Sequence, residues 1–333
     1  MRRRRGSDRI GLLGPLALAV PFAIGAALAA DTSDADEAFA FRDRAIVESS
    51  GLVVDGEFLV TTNDSGDGGR VFTVSASGQT VGVTTWADDP VDVEALAPAG
   101  PGHVWVGDIG DNSSARDSVS VTRVPVGEGD RSVTEPAIRL VYPDGPHDAE
   151  GLLAHPTTGR LYVVSKEVFG GTLYEAPEGL DESADNRLRS LGQVAGLVTD
   201  GGFLPDGRHL VLRTYSRAFV YTFPGLEAVG DLELPQQEQG EGLAVIDAGT
   251  VYLSSEGARS EVLRLRLPER ITRATSDTTA PAPNASGTPG ERSTPSGNEL
   301  AAEPRDRDVW PWLLGGVALV LMTITLLRAL RPR

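Results

Sequence analysis

The sequence predicts an all-β chain folded as a β-propeller of four-stranded blades, with five blades expected and six as the alternative. Three observations carry this. Between Asp31 and about Glu269 no stretch keeps a helical period, and short runs rich in Val, Leu, Tyr and Thr are punctuated by Gly, Pro and Asp. A unit recurs at roughly 40 to 50 residues, the period of propeller blades or solenoid turns. Each copy has the same internal order: an acidic opening, a small-residue step, a short apolar strand, a Gly turn and a second apolar strand.

Five copies align on the small-residue step, at Gly51, Ala95, Gly151, Gly201 and Gly242, with Gly56, Gly102, Gly159, Gly207 and Gly249 closing the hairpins. The best preserved copy, HDAEGLLAHPTTGRLYVVSKE, runs from His147 to Glu167. RVFTVSA, SVSVTRVPV, GTLYEAP and AFVYTFP follow as third strands of the first four copies, and TVGVTTW, AIRLVYP, RLRSLGQV and EAVGDLEL as less regular fourth strands. The fifth copy stops after EVLRLRLP, at Pro268. The segment Glu37 to Ile46 precedes the first copy and has no hairpin of its own, so it is expected to close the ring as the outer strand of the last blade. The 56-residue step from Ala95 to Gly151 is long enough to hide extra strands, which keeps six blades open.

The flanks give an address. Residues 1–30 read as a signal peptide: a head of arginines, an apolar centre from Ile10 and a small-residue exit at Ala29-Ala30. The propeller ectodomain is expected over 31–269, and a Pro, Ser, Thr and Gly stalk, too polar to fold, over 270–308. Residues 309–327 read as one transmembrane helix entered at Trp310 and Trp312, and 328–333 as a basic cytoplasmic tail. The expected location is thus the cell membrane, single-pass, with the ectodomain outside. The chain carries 30 basic and 47 acidic residues for a net charge of −17, and arginines concentrate at its two ends. Such an ectodomain repels nucleic acid and favours cations or cationic partners. There is no cysteine, so neither a disulfide framework nor a thiolate site is available.

In a four-stranded blade the fourth-to-first and second-to-third connections emerge on one face, and the first-to-second hairpins on the other. His103, His155 and His209 lie at hairpin turns, away from the acidic openings, which leaves His147 as the one histidine beside them. Asp92, Glu94, Asp148, Glu150, Asp200 and Glu241 start innermost strands, so their carboxylates are expected to converge at one mouth of the channel, where one reading has them hold calcium or another divalent cation. The other reading makes them structural carboxylates bonded to amides of neighbouring blades. Exits of the second strands reach the same face: Asn63, Asp64, Asp108, Asp111, Lys166, Glu167, Arg213, Tyr215 and Glu256. Lys166, the chain's one lysine, and Arg213 either balance the acids or hold an anionic ligand. No nucleophile elbow, P-loop or HExxH is present in this span, and the NDSGDGG loop at Asn63 is not an EF-hand, because Val74 stands where the terminal Glu belongs.

The repeated D-x-E-[GA]-L openings, NDSG and GDIGDN together resemble bacterial extracellular β-propellers, similar at a distance to phytase-like and esterase-like propeller domains, over about Glu37 to Pro268. The resemblance implies a central acidic channel able to hold calcium, with Asp92, Glu94, Asp148, Glu150 and Glu241 at matching positions. Ser50, Val198 and Gln239 depart from the pattern. The leading expectation is a membrane-anchored, cell-surface binding or scaffold module for an extracellular ligand or envelope protein. The alternatives are a metal-dependent phosphoester or ester hydrolase, using His147, Lys166 and Arg213 beside the metal, and an envelope sensor or assembly partner.

Overall fold

The computed structural model describes residues 35–277 apart from 65 and 88. The expected signal peptide, the stalk beyond residue 277, the transmembrane helix and the basic tail lie outside the described residues. Among those described, no helix is long and apolar enough to cross a membrane.

The chain opens with β1 (Ala35–Ala40). Blade one follows as β2 (Ser49–Asp55), β3 (Phe58–Asn63), β4 (Arg70–Val74) and β5 (Thr80–Trp86). Blade two contains β6 (Val93–Pro98), β7 (His103–Asp108) and β8 (Val119–Pro125), then, after the short β9 (Arg131–Val133), its outer strand β10 (Ile138–Val141). Blade three is β11 (Ala149–Ala154), β12 (Leu161–Ser165), β13 (Thr172–Glu175) and, beyond the two-residue β14 (Asn186–Arg187), β15 (Arg189–Gln193). Blade four is β16 (Val198–Phe203), β17 (His209–Thr214), β18 (Arg217–Thr222) and β19 (Ala228–Glu233), and blade five supplies β20 (Gly240–Asp247), β21 (Thr250–Ser255) and β22 (Glu261–Arg266). β1 pairs antiparallel with β22 and completes blade five, so both ends of the repeat meet in one sheet.

Five sheets settle the blade number, and the core agrees. It divides into five apolar clusters, one at each blade–blade interface: Val53, Val71 and Trp86 against Leu96 and Val104 between blades one and two, for example, and Phe39 and Val262 against Leu59 and Phe72 where the ring closes. The long step between copies two and three does hide a strand, but no sixth blade. β9 turns back and pairs in parallel with β5, extending blade one, and β14 does the same to β10 of blade two. Each addition covers the outer edge of a blade.

Four of the five hairpin glycines, Gly56, Gly102, Gly159 and Gly207, have φ between 61° and 71°, the left-handed region that an L side chain resists. The fifth, Gly249, is not among the glycines with positive φ. The propeller also runs further than the composition suggested. Residues expected to begin the stalk form α1 (Glu269–Asp277), whose Ile271 is buried in the cluster between blades four and five and lies against Gly230 of β19. One apolar side chain at the right place anchors a turn of polar sequence that average composition assigns to a linker.

Candidate functional site at the channel mouth

The innermost strands β2, β6, β11, β16 and β20 share a feature that the repeat alone does not reveal. Each breaks register with its partner at its first residues: between Ser49 and Leu52, Val93 and Ala95, Ala149 and Gly151, Val198 and Asp200, and Gly240 and Leu243. Five equivalent β-bulges therefore ring the channel mouth, and a bulge takes a residue out of the ladder. The residues so displaced include Ser50, Glu94, Glu150, Thr199 and Glu241. Hydroxyls close the gaps between blades: Ser50 Oγ donates to the Glu94 carbonyl at 2.7 Å, and Thr199 Oγ1 donates to the Glu241 carbonyl at 3.0 Å.

This pattern corrects the alignment of the fourth copy by one residue. The pairs flanking the bulges are Ser49 with Asn63, Val93 with Asp108, Ala149 with Ser165, Val198 with Thr214 and Gly240 with Ser255. Thr199 is thus the equivalent of Glu94, and Asp200 occupies the small-residue step filled elsewhere by Gly51, Ala95, Gly151 and Gly242. Asp200 is fully buried. Its Oδ1 accepts from the Gly201 amide and its Oδ2 from the Leu243 amide of the next blade, both at 2.7 Å. Burial holds its pKa well above the ordinary value, against the pull of those amides, of Arg213 and of the Leu52 amide from blade one. Asp200 is a structural carboxylate that ties inner strands together and does not belong to the mouth cluster.

Arg213 is also removed from the surface. It is 0 % exposed, donates from one nitrogen to the carbonyls of Gly242 at 2.6 Å and Ser254 at 2.9 Å, and from another to Gln237 Oε1 at 2.6 Å. Burial lowers its pKa to about 10, opposed by Glu241 and Asp200. A guanidinium committed to backbone carbonyls in this way braces blade five and is not presented to an anionic ligand.

What converges at the mouth is narrower than the predicted ring. Carboxylate oxygens of Asp64, Asp92 and Glu94 lie within 4.8 Å of one another, Glu94 buried and the two aspartates half-buried. Asp64, placed on this face as a strand exit but not among the predicted metal ligands, completes the group. Glu94 is 5 % exposed, and burial, then the charges of Glu150, Asp64 and Asp92, push its pKa up to about 10. Burial first, and then Asp64 and Asp148, also raise Asp92. Glu150 pairs with Lys166 Nζ through Oε1, while its Oε2 is buried without a partner. Its pKa is raised to about 8 by burial, with Lys166 pulling the other way. Lys166 lies over the Tyr215 ring at 5.2 Å, and the attraction of Glu150 raises its pKa despite burial. Glu241 is raised by burial and held by Gln239 at 3.4 Å; burial and Glu241 raise Glu256 to about 7.

The remaining predicted residues have other partners. Asp148 Oδ1 accepts from the Asp111 amide at 2.8 Å, fixing the loop after β7. His147 is held at both ring nitrogens, Nε2 by Asp144 at 3.1 Å and the Tyr174 hydroxyl at 2.9 Å, Nδ1 by Glu167 at 3.0 Å, with Tyr142 edge-on at 5.1 Å. The GDIGDN turn acquires a purpose: Asp108 accepts from the Asp92 amide at 2.9 Å and from Arg116 at 2.8 Å, and a Cβ on Gly110 would overlap the Asp92 carboxylate. Gly110 is therefore what gives Asp92 and Glu94 their room. The Asn63 loop is built from its own bonds, Asn63 Oδ1 accepting from Val47 and Glu48 and its Nδ2 donating to Ala45 O and Asp67.

The cluster fits a hard cation. Carboxylate oxygens of three residues meet within 4.8 Å, Glu94 among them buried, and one further buried carboxylate oxygen, Oε2 of Glu150, has no hydrogen-bond donor; calcium takes oxygen ligands of this kind.

No protein-family model matches the chain, and no curated protein matches it. Among solved structures, the chain is similar to one from the crystal structure of a nidogen/laminin complex, at 16% identity, covering 63% of this chain and 73% of that chain with a TM-score of 0.41. The propeller assignment itself stands on the five sheets and their closure by β1.

Proposed function

We propose that this protein is a membrane-anchored, cell-surface β-propeller acting as a binding module through its channel-mouth face, with calcium or a similar divalent cation held by Asp64, Asp92 and Glu94. One observation carries the binding reading. Among the described residues the large hydrophobic side chains that stay exposed are Val47, Val91, Val168, Phe169, Leu197 and Tyr215. All six sit in fourth-to-first or second-to-third connections, the face of the acidic mouth. Phe169 is fully exposed. Apolar side chains gathered on one face beside a charged centre mark an interaction surface. The partner is an extracellular ligand or envelope protein presenting basic groups, in keeping with the acidic chain.

The anchor and the address rest on the sequence: signal peptide over 1–30, stalk up to 308, transmembrane helix over 309–327 and basic tail over 328–333. The resemblance to bacterial extracellular propellers supports the same export. The hydrolase reading lacks comparable support, since His147, Lys166 and Arg213 each serve other partners.

Calorimetry with calcium on the chelator-treated protein tests the cation, with Glu94→Gln expected to abolish binding. If neither calcium nor other divalent ions bind or raise the Tm, the cation is excluded. Pull-down from native membranes tests the face, comparing the wild type with Phe169→Ala and Val168→Ala. Equal recovery of the same partners by all three excludes this surface. Phosphoester turnover abolished by Glu150→Gln would put the hydrolase first.

A further inference from the structure

The channel has a second end, and its chemistry is opposite. Beyond the small-residue step each inner strand becomes apolar, and on the hairpin face these stretches enclose a cavity of about 630 Å³. Every blade contributes: Leu52 from blade one, Leu96 from blade two, Leu153 from blade three, Phe203 from blade four and Leu243 from blade five. The layer of Gly51, Ala95, Gly151, Asp200 and Gly242 lies between this cavity and the acidic mouth. That layer is tightly packed, since a Cβ on Gly51 would come within 2.5 Å of the Leu96 nitrogen. The two ends are therefore separate sites on one channel.

The size falls within the roughly 300–1,000 Å³ of small-molecule sites. The lining decides the class of ligand. It is aliphatic and aromatic, so the body of an occupant must be apolar. Of its two basic side chains, His155 has both ring nitrogens engaged, Nε2 with the Gly207 carbonyl at 3.0 Å and Nδ1 accepting from the amides of Thr157 and Thr158 at 3.3 Å. Both nitrogens being so engaged, His155 has none to offer an occupant, and Arg123 is the other basic side chain of the lining. It is exposed, stands opposite Trp105 in the β7–β8 register, and donates from a single nitrogen to Ala99 O at 3.0 Å, which leaves guanidinium donors at the rim. An apolar cup with one cation at its edge is complementary to a molecule with an apolar body and one anionic end.

We propose that this cavity binds an apolar monocarboxylate, its hydrocarbon body among Leu52, Leu96, Leu153, Phe203 and Leu243 and its carboxylate on Arg123. The site is independent of the cation at the mouth. The test titrates the full chain with hexanoate, octanoate and decanoate, and with decylammonium, following heat and Trp105 fluorescence. Affinity is expected to rise about fourfold per added methylene and decanoate to bind at least about tenfold tighter than decylammonium. Arg123→Gln, a surface change that leaves the fold intact, should remove the preference for the anionic head while keeping the chain-length dependence. Val54→Trp, which fills the cavity from a half-buried position, should abolish binding at unchanged Tm. Glu94→Gln should leave both properties untouched, so failure here is distinguishable from failure of the mouth. The proposal is overturned if decanoate does not bind at about 1 mM, if it binds no tighter than decylammonium, or if Arg123→Gln leaves the head-group preference unchanged.

Discussion

Replacing Asp200 separates a structural carboxylate from a cation ligand. Its two oxygens each accept one inner-strand amide at 2.7 Å in a position with no solvent exposure. Asp200→Ala removes both acceptors and adds none, because water cannot enter without opening the layer between the two channel ends. A buried donor left unpaired costs about 1–3 kcal/mol, so two cost about 2–6 kcal/mol. The same burial that raises the Asp200 pKa is relieved by the substitution, which moves the expectation to the lower half of that range, about 2–4 kcal/mol. Asp200→Asn keeps one acceptor and turns a donor toward the other amide, so it should lose about half as much. Thr199→Ala, which removes a single bond between blades, serves as a calibration at about 1 kcal/mol. Equilibrium unfolding in urea, read by tryptophan fluorescence and extrapolated linearly, gives the three values on one scale. Asp200→Ala within about 0.5 kcal/mol of wild type refutes the reasoning. So does a variant that unfolds normally but binds calcium more weakly, since that is the behaviour of a mouth ligand.

In chelator, the folded protein should weaken as pH rises. Burial lifts Glu94 to about 10 and Glu150 to about 8 from 4.5, so between those values the folded state holds protons that the unfolded chain releases, and stability present at low pH is lost on the way up. A urea midpoint that climbs between about pH 5.5 and about pH 9 contradicts this, and Glu94→Gln should flatten the slope. Arg213→Met strands the carbonyls of Gly242 and Ser254 and should cost about 2–6 kcal/mol in the same assay. Arg213→Lys is expected to recover little of it, because an ammonium cannot reproduce the planar fork. Gly51→Ala forces a methyl against the backbone of Ala95 and Leu96 and should lower stability by about 1–3 kcal/mol. Phe169→Ala, by contrast, should unfold within about 0.5 kcal/mol of wild type, since the ring is fully exposed.

The propeller was legible in the sequence because its signals are local and repeated. A Gly at each hairpin, a strand alternation and a small-residue step recur often enough to mark blades, and the lone strand before the first copy had only one place to go. Where the reading failed, the deciding contact was not local. In VTDGG the acid falls one residue late relative to VEA and AEG, and only the pairing of Val198 with Thr214 shows that Thr199 takes the bulge and Asp200 the step. A carboxylate at a step elsewhere reserved for Gly and Ala was the available warning. Arg213 looks like an exit cation in sequence, yet its length lets it reach the carbonyls of blade five. Asp64 and Asp108 both lie at exits of second strands on this face, and nothing in the sequence says which of the two approaches Asp92 and Glu94. β9 and β14 were too short to be read as strands at all, being three and two residues long.

The mouth is not symmetric, and the asymmetry bears on what it binds. On the side of blades three and four, Glu150 already has Lys166, which is itself covered by Tyr215. The connections of that sector carry Val168, Phe169, Leu197 and Tyr215, four of the six exposed hydrophobic side chains among the described residues. The Leu197 amide donates to the Glu167 carbonyl at 2.9 Å, holding two of these connections side by side. On the side of blades one and two, Asp64, Asp92 and Glu94 meet, and burial first, then neighbouring carboxylates with Asp64 among them, lift Asp92 and Glu94. An inorganic cation satisfies the second sector alone and leaves the first exposed. A protein segment with a basic tip and an apolar flank satisfies both at once, and the two differ in outcome. Loss of Phe169 leaves affinity for calcium unchanged but weakens a segment that spans the face, whereas Glu94→Gln weakens both. Binding that responds to Glu94 and not to Phe169 assigns the mouth to the ion, and binding that responds to both assigns it to the partner.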